Sequence, residues 1–151
     1  MSSEMRPQIG SAFWAVHKET YDRLKAHSAM AEWKDFIFDE VPEDQGCPYI
    51  KVGLFYADDF GARDISGEDL THVIEVFCDN KFKSGKKECN TIMNAVLLAM
   101  TDTILGLLDL SAHGFKTILQ KPAGKRILEE EEEDGISYHG VIELNYLIQK
   151  I

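Results

Sequence analysis

Five histidines and three cysteines are the residues of this chain best suited to catalysis or metal binding: His17, His27, His72, His113 and His139, with Cys47, Cys78 and Cys89. Metal ligation needs several such groups converging at recognisable spacing. No HxxxH or CxxC pair occurs here. Ordinary core or surface positions are the expectation for the histidines, with His72 near Cys78 the nearest approach to a ligand pair. Cys47 with His72 or His139 can be drawn as nucleophile and base, but any chain with this inventory offers such a drawing. Gly85-Lys86-Lys87 lacks the glycine-spaced loop of a phosphate site, and neither GxGxxG nor GxSxG is present. The residues therefore predict no catalytic group, no cofactor and no metal, and three reduced, mostly buried thiols.

Charge is the second feature. The net charge of −10 repels nucleic-acid phosphate and argues against a DNA-coating role. Glu129, Glu130, Glu131, Glu132, Glu133 and Asp134 form one acidic run. Three readings fit it: a solvated hairpin tip, a cation site, or an arm that meets another subunit. Alternation along a strand sends successive side chains to opposite faces, which spoils convergence on a cation. Lys81, Lys83, Lys86 and Lys87 crowd the start of a predicted helix, where the helix dipole is positive and cations are mildly unfavourable. That placement suggests a source of negative charge elsewhere, and the acidic run of a neighbouring subunit is the candidate. These ten residues are the candidate subunit-interface set.

The elements that must position them follow from periodicity. At 151 residues, 44% hydrophobic and 28% charged, the chain fits one soluble globular domain spanning 1–151. The start, Met1-Ser2-Ser3-Glu4, lacks the pattern of a signal peptide, and the apolar stretch Ile92–Leu110 is too interrupted to span a membrane. Folding in a cytoplasm is the expectation. Ile9, Phe13, Val16, Tyr21 and Leu24 predict a helix over 8–29. Short strands are expected at 36–38 and, opening on Pro48, at 49–56. Residues 57–69 read as a polar connection, and 70–78 as a third strand.

The spacing of Met93, Val96, Leu97, Met100, Ile104 and Leu107 predicts a second helix over 85–108, with Ser84 as its N-cap. A fourth strand is expected over 115–120 and 126–130, interrupted near Pro122-Ala123-Gly124. In the last strand, 137–148, Ile142, Leu144, Tyr146 and Ile148 share one face. Asp134-Gly135 is the turn signal before it. The fold class is α+β: a single mixed or antiparallel sheet of four to five strands with two helices on one face.

Within this layout, Ile37-Phe38-Asp39-Glu40-Val41-Pro42-Glu43 and Cys47-Pro48-Tyr49-Ile50-Lys51-Val52-Gly53 form ordered phrases. The strand Val73-Ile74-Glu75-Val76-Phe77, a long helix, and a return strand after Asp134-Gly135 follow them. From about Trp14 to Ile148 the set resembles the tail-completion family of long-tailed bacteriophages, which includes tail-terminator and tail-to-head joining proteins. The resemblance implies a non-enzymatic virion subunit at the neck or tail end, assembled in the host cytoplasm. It implies a ring, usually a hexamer, that caps the tail tube protein and meets the head connector or stopper proteins. DNA would pass through the lumen without specific binding, and no membrane is involved. The five-glutamate run is longer and more acidic than the family pattern.

Two other readings stay open on the residues: a head-completion or connector protein on the portal side, and a cytoplasmic small-molecule binding module with a polar pocket between sheet and helices. A ring can form where an edge strand or the final hairpin adds to a neighbour's sheet. An acidic lumen would keep passing DNA from sticking.

Overall fold

The computed structural model describes residues 10–62, 65–81 and 85–151. Ile9, Lys83 and Ser84 lie outside them. The elements are helix α1 (Phe13–Ala26), strands β1 (Ile37–Phe38), β2 (Tyr49–Ala62) and β3 (Ile65–Asp79), helix α2 (Gly85–Met100), and strands β4 (Phe115–Glu132) and β5 (Gly135–Lys150). They build a five-stranded sheet in the order β1-β2-β3-β5-β4. The β1–β2 pairing is parallel and the other three are antiparallel, so the sheet is mixed. Both helices pack on one face, as the patterning predicts: α1 against β1 and β2, α2 against β3 and β5, and the helices against each other.

Ala15, Val16, Thr20 and Leu24 are the buried side of α1, and Arg23 and Lys25 in its last turn suit the negative end of the helix dipole. Its N-cap residue, Ala12, has no side chain able to cap, and the only local side-chain bond at its start among the described residues is a long one, 3.3 Å from the Phe13 N–H to the Ser11 hydroxyl. The stronger contact comes from β3: the buried Glu68 carboxylate accepts from the Ala12 N–H at 2.6 Å and from the Ser11 hydroxyl at 3.1 Å. A charge-assisted bond of this kind contributes more than a neutral one. Glu68→Ala is expected to cost about 1.5–3 kcal/mol of unfolding free energy, read by urea denaturation, with Glu68→Gln recovering part of it. An unchanged midpoint for Glu68→Ala would show that water caps the helix equally well.

Several predicted boundaries differ from the structure, and the first helix begins at Phe13, because residues 10–12 are not helical. The first helix ends at Ala26 because the His27 ring takes over: Nδ1 accepts from the Ala29 N–H and Nε2 meets Asp102 at 2.8 Å. The bond to Ala29 requires a bare Nδ1, so the proton sits on Nε2 and is donated to Asp102.

Residues 57–69 are not a connection but the outer half of the β2–β3 hairpin, with pairing that runs through Asp58↔Asp69 to Ala62↔Ile65. A bulge at Leu54 hid this, because one extra residue reverses which side chains face inward. The fourth strand is continuous from 115 to 132, with a register shift between Pro122 and Gly124. Proline is tolerated there because β4 is an edge strand.

The second helix stops at Met100, not Leu108. Asp102 Oδ1 accepts from the Ile104 N–H at 2.8 Å, a local turn that competes with helix. Gly106 follows at φ +71°. Gln120 of β4 takes the Met100 carbonyl and offers its own oxygen to the Leu108 N–H. Ile104 and Leu107, expected on the buried face, are exposed.

The core lies between helices and sheet. Ile74 and Ile142 are register partners in β3 and β5, and both are fully buried with Leu144, Tyr146, Ile92 and Val96. The inward row Ile142, Leu144, Tyr146, Ile148 is as patterned.

Candidate assembly interface

The opposite sheet face carries no helix among the described residues. Tyr49, Phe77 and His139 stack across β2, β3 and β5 with ring centroids 4.8 and 4.4 Å apart. His139 Nε2 lies 2.6 Å from Glu75 Oε2. A cavity of about 390 Å³ on this face is bordered by Leu54 and Tyr56 of β2 and by Arg126 of β4. Its wall draws on four adjacent strands, β2, β3, β5 and β4. This cleft lies on the bare face and not between sheet and helices, where the binding-module reading expects its pocket; a cavity of about 490 Å³ between α1 and β2 occupies that second location.

Among the described residues, the sheet also has two open edges. Beyond Lys51, β2 has no outer partner among them, because β1 pairs only with Ile50 and Lys51. Among the described residues, no strand pairs with the outer edge of β4.

The acidic run and the basic helix start meet within one chain. The last pair of the β4–β5 hairpin is Glu132↔Gly135, so Glu133-Asp134 form the turn, one residue before the expected Asp134-Gly135. Asn80 fastens this tip: its side chain accepts from the Ile136 N–H at 2.9 Å, and its own N–H donates to the Ile136 carbonyl at 3.1 Å. Lys81 Nζ lies 3.1 Å from Asp134, and Lys86 Nζ 3.1 Å from Glu129. The hydrogen bond to Asp134 raises the Lys81 pKa and that to Glu129 raises the Lys86 pKa. The charge that offsets these lysines therefore comes from their own hairpin. Glu130, Glu131, Glu132, Glu133 and Lys87 are exposed around the two pairs. Lys83 lies outside the described residues. Sequence spacing could not show this folding-back, because Lys81 and Asp134 are joined only through strand register.

Among the described residues, no three of the groups considered for chemistry converge as metal ligands. Cys47 sits beside Asp79 and Lys81, and burial and the Asp79 carboxylate push its thiol up to about 11. His72 is buried on the helix side, stacked on Phe55 at 4.2 Å, with neither ring nitrogen paired among the described residues. Burial and neighbouring His17 lower its pKa to about 3. A protonated thiol and an unprotonated, enclosed imidazole make no nucleophile–base pair. Cys78 and Cys89 are buried together, and the hydrogen bond from one thiol to the other, with burial, keeps Cys78 protonated. His113 Nε2 lies 3.9 Å from Glu19. No helix among the described residues is long and apolar enough to cross a membrane.

A sheet covered on one side, open at both edges and carrying a fastened charged tip presents surfaces for association. The family model described as "Tail completion protein gp17" matches residues 18–149, and the chain belongs to that family. No curated protein matches the sequence. A chain from the virion of a native gene transfer agent (GTA) particle shares the fold, with a TM-score of 0.75 at 19% identity, over 93% of this chain and 99% of that one. Membership agrees with the resemblance carried by the phrases around Asp39–Pro42 and Pro48–Gly53.

Proposed function

We propose that this protein is a virion structural subunit that completes a tail as a tail terminator or tail-to-head joining ring, with a hexamer the expected size. It works by association and not by catalysis. The observation that carries this reading, given the family, is the pair of open edges, β2 and β4, at opposite sides of one sheet. A contact between two different surfaces propagates by rotation and closes when the rotation fits. Edge strands supply main-chain hydrogen bonds for such a contact. The tail tube protein and the head connector or stopper proteins are the partners above and below, and DNA passes through the lumen.

The Glu129–Asp134 tip with Lys81, Lys86 and Lys87 is a second candidate contact. With Lys81 and Lys86 held by their own hairpin, the neighbour would meet a mixed-charge patch and not a bare cationic one. Reversing Lys86 and Lys87 to Glu is expected to weaken assembly at low salt, read by light scattering, with the difference shrinking as salt screens it. Equal assembly at low salt would remove the tip from the interface. The reading as a whole is tested by electron microscopy of the purified chain, alone and with tail tubes. Rings on the tube ends are expected; monomers under both conditions would end it.

A further inference from the structure

The loop after α2 is built to display apolar side chains. Asp102 accepts from Ile104 and is held by His27, the Gly106 N–H returns to the Asp102 carbonyl, and the Arg23 guanidinium donates to the Gly106 carbonyl at 2.9 Å. Gln120 and Thr117 of β4 bind its far end through Leu108. On this pinned frame Ile104 is 94% exposed, with Leu105, Leu107 and Leu98 also exposed beside it. A fixed loop has little conformational entropy left to lose on binding, so these side chains are preorganised to dock.

The same chain carries a receptive surface. A cavity of about 490 Å³ lies between α1 and β2, lined by Phe13, Trp14, Val52, Leu54 and Phe55, with Asp39 and Glu40 on its border. Trp14 and Leu54 are each 63% exposed. Leu54 sits at φ +45°, a conformation disfavoured for leucine, at the bulge that turns it outward.

The knob and the cavity lie at opposite edges of the sheet. The knob is fastened to β4, and the cavity borders β1 and β2. Arg23 stands beside the knob, and the cavity border carries both signs, Asp39 and Glu40 with Lys51 and His17. Two different apolar patches at opposite edges, one protruding and one receding, meet the requirement for a head-to-tail contact between copies.

We infer that Ile104 and Leu105 of one copy seat in the Phe13–Trp14–Leu54 cavity of the next. This rests on the ring reading and names its apolar anchor, the kind of central packed contact that dominates interface energetics. The test compares the full-length chain with Ile104→Asp, alone and with tail tubes, by light scattering and electron microscopy. The substitution is expected to weaken assembly about 30-fold or more, as a hot spot would, with an unchanged thermal midpoint because the side chain is solvent-exposed. Leu105→Cys with Trp14→Cys, in a Cys47→Ser background and with a short bismaleimide, is expected to give a ladder of covalent multimers. Rings of the unaltered chain, together with equal assembly of Ile104→Asp and no ladder, overturn this contact and leave the ring reading standing. Loss of assembly without a ladder overturns the cavity as the seat. Absence of rings from the unaltered chain overturns both.

Discussion

Replacing His72 by Phe is expected to remove much of the acid sensitivity of the folded chain. His72 is enclosed, stacked on Phe55, and its pKa is lowered from 6.5 to about 3. Between those values the unfolded chain binds a proton there and the folded chain does not. Stability linked to this group is therefore fully present above about pH 6.5 and is lost as pH falls toward 3. Each pH unit inside that window is worth about 1.4 kcal/mol, so the loss at pH 4 is about 3 kcal/mol relative to pH 7. Phenylalanine keeps the stack, cannot titrate, and removes two buried nitrogens that have no partner among the described residues. Urea denaturation of both chains at pH 7, 5 and 4 isolates the effect, since the other titrating groups are shared. Parallel pH profiles for the two chains would show that His72 takes up its proton without unfolding.

Ile142→Ala is expected to cost about 2–5 kcal/mol, the range for deleting a large buried aliphatic side chain. Ile142 is fully buried, pairs in register with Ile74, and faces the helix layer. Ile104→Ala is the matched comparison: the same side chain, 94% exposed, expected to change stability by less than about 0.5 kcal/mol. Denaturant midpoints decide it. Similar losses for both would mean that the loop after α2 packs into the core in solution, and would also remove its availability for a neighbour.

That comparison shows where periodicity stops being informative. Ile104 and Leu107 continue the spacing of Met93, Val96 and Met100 without a break, so pattern alone extends the helix. The signal against it was Asp102, whose side chain can take backbone N–H groups and end a helix, followed by Gly106. The partner that secures the alternative, Gln120, is distant in sequence and reaches the loop only because β4 runs beside it. The β2–β3 hairpin was missed for a related reason. Asp58, Asp59 and Asp69 look like loop residues, yet a strand with one solvent face accepts them at alternate positions. The bulge at Leu54 then shifts the alternation by one.

The charged tip was half legible. Six acids and four lysines stand out in any reading, and the hairpin was predicted within one residue. Their meeting inside one chain was not legible, because the source of the negative charge could be this hairpin or a neighbour's.

The sequence by itself determined the α+β class, both helices, the inward row of β5, the lack of convergent ligand spacing and, through ordered phrases, the tail-completion family. These depend on local periodicity, turn chemistry and residue order. Tertiary structure decided which apolar residues are core and which are display, that Glu68 caps a distant helix, that Lys81 and Lys86 answer their own hairpin, and that a fastened knob and an open cavity occupy opposite edges of one sheet. Each of these depends on pairings between residues far apart in the chain. Strand order and register set such pairings, and no local pattern encodes them.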